Sequence, residues 1–330
     1  MRGGDQWLGL DIGGANLKAA TAGGYARETP FPLWRMPDKL PDALVQLRRH
    51  APDHAGLAVT MTGELADCYR TKAEGVAAIV DAVQQAAAGT PAFYFLTDGS
   101  FVDAAAAVAR WRLAAASNWF ALARALPGRL IVDVGSTTTD ITPPASPGGA
   151  DDAARLMAGR LVYLGVQRTP LCAVVDRLPY RGRSCPVAAE LFATTGDAAL
   201  VLGHRKPSDS CDTADGRPAT VEHAAARIAR MLCIDPGDFD LTDAAAAAEA
   251  VVASMTDRVA AALKRAFAAS QGVPGSEAVL AGSGDWLAAA ALKTAGHTGA
   301  ATRLADAIGA GPSRCAPAWA VAKLCQERAR

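Results

Sequence analysis

Short runs in which apolar and polar residues alternate fill the first hundred positions, and alanine-rich segments with apolar residues at helical spacing become common afterwards. Residues 7–12, WLGLDI, predict a buried strand ending in a glycine turn over 13–16. A second strand follows through 18–21, then a hairpin turn at Gly23 and Gly24 and a third strand toward Phe31. Three strands in such tight succession pair antiparallel. Pro30, Pro32, Pro37 and Pro41 interrupt the chain before a helix over about 41–50. Residues 55–62, AGLAVTMT, alternate as a fourth strand that ends at Gly63 and Glu64. Val76, Ile79, Val80 and Val83 mark a helix within 70–88 that packs on the sheet. AFYFL at 92–96 reads as a short buried strand, and one long alanine-rich helix is expected over about 103–126.

The second half repeats the scheme. Residues 130–141, LIVDVGSTTTDI, are an apolar strand broken by a tight glycine turn, followed by a proline and glycine loop at 142–150 that is the best candidate for a boundary between lobes. Beyond it come a strand and a basic turn within 160–173, a turn at Thr194, Thr195 and Asp197, and helices over about 220–233 and 243–270, the second ended by Gly272 and Pro274. AVLAGSGDWL at 278–287 is strand, glycine turn and helix start, and residues 317–326 form a closing helix. Strands and helices alternate throughout, so the fold class is α/β.

Candidate chemistry sits where strands end. Asp11 closes the first apolar run, Gly13 and Gly14 free the backbone to approach an anion, Asn16 completes the turn, and Lys18 supplies a positive charge. An isolated DxGG is mostly just a turn, but here the plan recurs. Asp133 ends an apolar strand and is followed by Gly135, Ser136, Thr137, Thr138, Thr139 and Asp140. Two such turns can face one cleft and hold a phosphorylated ligand, with Asp11 and Asp133 meeting a divalent cation or its water shell. Gly282, Ser283 and Gly284 form a third glycine turn after a strand, where a flat or anionic ligand can lie against exposed backbone. Glu64 could be a ligand or a base, although a carboxylate just after a strand is more often a solvated loop residue. Arg168, beside Thr169, could bind a phosphate or carboxylate through its planar fork or could be a surface arginine at a turn. Ser117, Asn118 and Trp119 could face a ligand, but satisfied helix surface is the commoner outcome. His204, Asp209, Cys211, Asp212 and His223 lack the paired spacing of metal ligands and read as an exposed loop.

With 330 residues the chain suits two cores better than one. Lys plus Arg and Asp plus Glu stand at 33 each, so no net field recruits nucleic acid or an acidic membrane surface, and any anion must be held by local geometry. The odd number of cysteines, seven, without a CxxC pair, suits reduced thiols. Entry into the first strand after about six residues leaves no room for a signal peptide, and arginines interrupt the stretch over 104–126, so no membrane span and a cytoplasmic location are expected.

Together these features resemble the sugar kinase, heat-shock 70 and actin superfamily, with residues 11–18 as its first phosphate motif, 133–140 as its second and 282–284 as its adenosine motif. The resemblance implies a two-lobed actin-like ATPase fold built from ribonuclease-H-like lobes, 1–128 and 129–330, with the ligand cleft between them. DVGSTTTD is similar to the hydantoinase and oxoprolinase branch, although Ser136 replaces the second glycine of that motif. DIGGANLKAA, GRLVYLGVQRTP, AELFATTGD and APAWAVAKL more narrowly resemble the methanofuran-biosynthesis synthase family of tetrahydromethanopterin-linked C1 metabolism. That resemblance implies a transferase of small-molecule substrates, joining an aminomethylfuran-methyl diphosphate to the phenol of γ-glutamyltyramine or tyramine, in bacteria as part of methylotrophic formaldehyde oxidation. It implies Mg as cation, Asp11 and Asp133 as its ligands, Lys18 on the phosphates, Glu64 or Asp140 as base, and Arg168 toward the γ-glutamyl carboxylate. ATP could be bound but is not required. An ATP-dependent small-molecule kinase or amidohydrolase, and a nucleotide-responsive actin-like scaffold, are the competing readings.

Overall fold

The computed structural model describes residues 6–269 and 273–329. The amino-terminal residues before Gln6 and the helix end expected at Ser270 and Gly272 lie outside them. The strands are β1 (Trp7–Ile12), β2 (Asn16–Thr21), β3 (Ala26–Pro30), β4 (Gly56–Met61), β5 (Ala92–Phe95), β6 (Phe101–Val102), β7 (Leu130–Val134), β8 (Thr139–Thr142), β9 (Leu161–Val162), β10 (Arg177–Tyr180), β11 (Arg183–Pro186), β12 (Ala278–Ala281) and β13 (Ala301–Arg303). The helices are α1 (Leu40–Arg49), α2 (Lys72–Ala87), α3 (Ala104–Ala109), α4 (Trp111–Ala114), α5 (Asn118–Ala125), α6 (Asp152–Met157), α7 (Thr195–Val201), α8 (Val221–Met231), α9 (Leu241–Ala269), α10 (Asp285–Ala295), α11 (Leu304–Ile308), α12 (Ala310–Arg314) and α13 (Ala316–Arg328).

The first sheet has the order β3-β2-β1-β4-β5-β6 and the second, read from its far edge, β9-β8-β7-β12-β13. In each, the opening hairpin is antiparallel and the next strand lies parallel to the first, as β1 with β4 and β7 with β12. The same ribonuclease-H-like order thus occurs twice, which is the two-lobed actin-like plan. Among the described residues no helix is long and apolar enough to cross a membrane.

Side-chain parity along the strands sets the layers. Leu8, Leu10 and Ile12 join Leu57, Val59 and Met61 in a core with Leu44, Val76 and Ile79 of α1 and α2. The alternate positions Trp7 and Ala58 face the other way, onto Trp119 and Phe120 of α5 and Ala318 and Trp319 of α13. In the second sheet Leu130, Val132 and Val134 pack outward on α9 and α10. Ile131 joins the same middle layer as Trp7. The order is therefore helices, sheet, shared helices, sheet, helices. Asp11 has the parity of Trp7, and Asp133 that of Ile131, so both carboxylates project into the space between the sheets.

Helix α13 lies directly on β1. A Cβ on Gly9 would stand 1.8 Å from the carbonyl oxygen of Ala318, so only glycine admits this approach. Every strand of the first sheet precedes residue 129 and every strand of the second follows it. A division at 128/129 nevertheless leaves α13 outside the lobe against which it packs. The proline and glycine loop at 142–150 is not a boundary: it joins β8 and β9 of one sheet, and the Gly149 N–H donates to Thr97 O at 2.8 Å.

The single helix expected over 103–126 is three pieces. The Asp103 side chain caps the first, accepting from the Ala106 N–H at 2.8 Å. Ala115 then turns extended and Ala116 takes φ of 48°, ending α4. The alanine count favours helix, but the chain must turn here to bring α5 back between the sheets. β10 and β11 pair as an antiparallel hairpin that turns at Arg181 and Gly182, both in the left-handed region with φ of 45° and 73°. Thr194 and Asp197 form a capping box that opens α7, where a turn alone was expected.

Candidate active site

The two glycine turns are built alike. The Gly13 N–H donates to Asn16 O at 3.1 Å, and the Gly135 N–H donates to Thr138 O at 2.9 Å. Cross-strand register sets Asp11 opposite Lys18 and Asp133 opposite Asp140. Each turn is braced by a later segment of its own lobe. Phe31 and Leu33 N–H groups donate to Ala15 and Gly14, both at 2.9 Å, which delivers Trp34 to the cleft. The N–H groups of Val166, Gln167 and Arg168 donate to Gly135 and Ser136 at 3.0 to 3.1 Å, which delivers Arg168. The two delivered side chains meet, with the Arg168 guanidinium carbon 4.7 Å from the centre of the Trp34 ring. A second contact between lobes joins Lys72 Nζ to Asp152 Oδ2 at 2.6 Å.

Between the turns lies a chamber of about 120 Å³, lined by Asp11, Lys18, Asp133, Asp140 and backbone of both turns. Asn118, first residue of α5, and Ala316 and Pro317, at the start of α13, close it. The positive ends of both shared helices therefore point into it. Burial pushes the Asp11 carboxyl up to about 6, against the pull of Lys18. Burial and the charge of Asp140 push Asp133 up to about 7. Burial disfavours the Lys18 ammonium, but Glu28, Asp11 and Asp133 outweigh it and hold the group above its usual range. Asp11 is 6% exposed and its Oδ1 has no hydrogen-bond partner. Among the described residues no three side chains of ligating type form a cage. Two carboxylates with an unsatisfied oxygen, beside space for phosphate, fit a hard cation that completes its shell with water and phosphate oxygens. Asp140 is engaged elsewhere, by Arg155 at 2.5 Å, whose guanidinium carbon lies 4.4 Å from the centre of the Trp119 ring.

The chamber opens past Gly14, Thr137, Thr138 and Asp140 into a larger one of about 440 Å³. Trp34, Tyr163, Arg168 and Glu64 stand in its walls. Glu64 is 1% exposed, with Oε2 unpartnered. Burial pushes its carboxyl up to about 7 against its own backbone amide and Lys72. The expectation of a solvated Glu64 fails because β4 ends between the lobes, where Gly75 of α2 packs against the Glu64 backbone.

Of the residues singled out from sequence, Asp11, Gly13, Gly14, Asn16, Lys18, Asp133, Gly135, Ser136, Thr137, Thr138, Asp140 and Gly282 line the small chamber, and Glu64 and Arg168 line the large one. Thr169, Ser283 and Gly284 line neither. The Thr169 hydroxyl accepts from the Gly165 N–H at 3.0 Å and so holds the segment that carries Arg168. Ser283 is exposed, and Gly284 is glycine because a Cβ would stand 2.5 Å from Val134 Cγ1. Trp34, Thr62, Arg155 and Tyr163 were missed. Asn118 was passed over as helix surface, yet the break before α5 points it into both chambers, while Ser117 bonds Thr60 at 2.8 Å and Trp119 lies under Arg155. In the loop of histidines and aspartates, His204 stacks on Trp286 at 3.9 Å and Asp212 pairs with Arg168 at 3.4 Å, which leaves these groups serving packing.

A hydantoinase/oxoprolinase family model matches residues 56–328. A relative from Methanocaldococcus jannaschii is 37% identical over 240 residues, 69% of this chain and 72% of its own length, and bears the name (4-{4-[2-(gamma-L-glutamylamino)ethyl]phenoxymethyl}furan-2-yl)methanamine synthase. A relative of the same name from Methanococcus vannielii is 42% identical over 110 residues, 32% of this chain and 50% of its own. Among solved structures, nucleotide-free acetone carboxylase aligns with a TM-score of 0.49 at 10% identity, over 87% of this chain and 66% of that one.

Proposed function

The chain belongs to the hydantoinase/oxoprolinase family and to the family of the furan-methanamine synthases, and on that premise we propose that it is a transferase of methanofuran biosynthesis. It condenses an aminomethylfuran-methyl diphosphate with the phenol of γ-glutamyltyramine, or of tyramine, and releases diphosphate. The observation that carries this reading is the junction of the two chambers, where a phosphate-sized space with Lys18 opens onto an aromatic space holding a buried, unpartnered Glu64.

At that junction the bond between the donor's methylene carbon and the diphosphate oxygen breaks, and its electron pair leaves with diphosphate. The phenol oxygen forms the new bond to the same carbon, and the phenolic proton passes to the Glu64 carboxylate. Furan can share positive charge at the methylene, so departure of diphosphate is the demanding event. Lys18, the two turns and the amino-terminal ends of α5 and α13 meet the charge that develops on the leaving oxygens. A magnesium ion held by Asp11 and Asp133 would neutralise the diphosphate further, in the manner of an ion that commonly takes one or two carboxylates together with phosphate. Glu64, with its carboxyl near 7, is matched to general base work at neutral pH. Asp140 is better suited to hold Arg155 than to take a proton. Trp34 and Tyr163 flank the acceptor ring, and Arg168 meets the γ-glutamyl carboxylate through its fork.

The donor brings its own leaving group, so no nucleotide enters this scheme. The seven free thiols support a reducing compartment, the cytoplasm, with tetrahydromethanopterin-linked C1 metabolism as the setting. Incubation of the pure protein with magnesium, the furan diphosphate and γ-glutamyltyramine or tyramine tests the reading. A product of the condensed mass with release of diphosphate is expected, and none from an ATP control. Product that forms only with ATP would overturn it.

A further inference from the structure

A third chamber, about 380 Å³ in volume, lies on the other flank of the first turn. Arg27, Glu28 and Pro30 from β3, Gln167 from the brace of the second turn, and Arg314 at the end of α12 form its walls. It shares Asn16 and Arg314 with the phosphate chamber and no residue with the aromatic one. The phosphate chamber therefore stands between two larger spaces of different character. One is aromatic and holds Glu64, and the other is polar and presents two arginines.

Charge in the third chamber is unevenly spoken for. Glu28 faces Lys18, with Nζ and Oε1 3.7 Å apart. Arg27 and Arg314 have no salt bridge and their guanidinium groups no hydrogen bond to the described residues, and the Gln167 side chain has no such bond either. A guanidinium that packs against no carboxylate and borders two chambers is free to meet an anion passing from one to the other. Arg314 stands in the walls of both chambers, so a diphosphate with its inner phosphate between the turns can turn its outer phosphate toward this guanidinium.

We propose that the third chamber is an anion subsite for the outer phosphate of the diphosphate, with Arg314 its principal contact and Arg27 and Gln167 in support, and that inorganic diphosphate leaves by this route. This rests on the reading that the neighbouring chamber holds a diphosphate ester. The organic part of the donor then extends toward Glu64 while the leaving group departs on the opposite side, away from the incoming phenol. Arg314 is a selectivity residue here: it separates a diphosphate from a monophosphate.

Titration calorimetry with inorganic diphosphate and inorganic phosphate, in magnesium buffer, on the wild type, Arg314→Ala and Arg314→Lys, tests the proposal. Arg314→Ala is expected to weaken diphosphate by about ten- to a hundred-fold, the range of a hydrogen bond between charged groups, and to change phosphate by less than about three-fold. Arg314→Lys should recover part of the loss. Arg314 is exposed and has no salt bridge to the described residues, so an unchanged melting temperature is expected and checks the fold. Equal diphosphate affinity in the wild type and Arg314→Ala would overturn the subsite, as would equal loss of both anions. A wild type that binds neither anion would remove the diphosphate reading, and the subsite with it.

Discussion

Among the described residues Lys18 is the one ammonium lining the small chamber, about a quarter exposed and ringed by Asp11, Asp133 and Glu28. Its removal takes away a positive charge where leaving oxygens gain negative charge, so Lys18→Ala is expected to lower kcat by about a hundred- to a thousand-fold, measured as diphosphate release, with circular dichroism unchanged. Glu64→Gln keeps the shape and removes the base. Steady-state rates should fall by about a hundred-fold or more, and the limb of the pH profile near 7 should vanish. The same change should raise the denaturation midpoint at pH 8, since it removes a desolvated charge without a partner for Oε2. Asp11, Lys18, Asp133 and Gly135 were legible because strand, carboxylate, turn and partner lie within ten residues of one another. Trp34, Tyr163 and Arg155 were not, since each reaches the chamber wall only by long-range packing: Trp34 through bonds from residues 31 and 33 to the first turn, Arg155 through Asp140.

Two elements carry the geometry that the residues need. The turn after β12 brings its backbone onto the end of β7: Gly282 has φ of 82°, and a Cβ there would stand 2.2 Å from Val134 O and 2.4 Å from Asp133 Oδ1. Gly282→Ala combines backbone strain with a clash, and a loss of about 2 kcal/mol or more in a urea titration is expected. It should also weaken magnesium-dependent diphosphate binding, because Asp133 is the group displaced. The second element is the break before α5, where Ala116 accepts a left-handed φ so that Asn118 can open a helix at the chamber. The glycine turn announced itself in the sequence. The break did not, because every residue from 104 to 109 and from 111 to 116 except Val108, Trp111, Arg112 and Leu113 is alanine, the best helix former, and tertiary packing overrides that preference.

At the scale of the whole molecule, the carboxyl groups of Asp11, at about 6, and of Asp133 and Glu64, at about 7, stand well above their ordinary range. Below about pH 4 they are protonated folded or unfolded and leave stability unchanged. Between about 4 and 7 the unfolded chain gives up protons that the fold retains, so these groups lower stability as pH rises, with the full effect above 7. Protein treated with EDTA should therefore have a lower denaturation midpoint at pH 8 than at pH 5.5. Magnesium at pH 8 should restore part of the difference by meeting Asp11 and Asp133, leaving the share of Glu64. No recovery would argue against a cation between them. The doubled strand order was legible as two similar phosphate turns, because strand, turn and strand are local patterns. The shared helix layer was not, since α13 follows the last strand of the second sheet yet packs on the first. That arrangement has a consequence during synthesis. On the ribosome, β1 and β2 emerge early, α5 can reach the shared face once residues 118–125 follow, and the surface at Gly9 waits for residues 316–328 to leave the exit tunnel. The half made first is thus completed by a helix made after the second sheet, so the growing polypeptide must keep the apolar patch around Gly9 from sticking to its surroundings while the second half is synthesised.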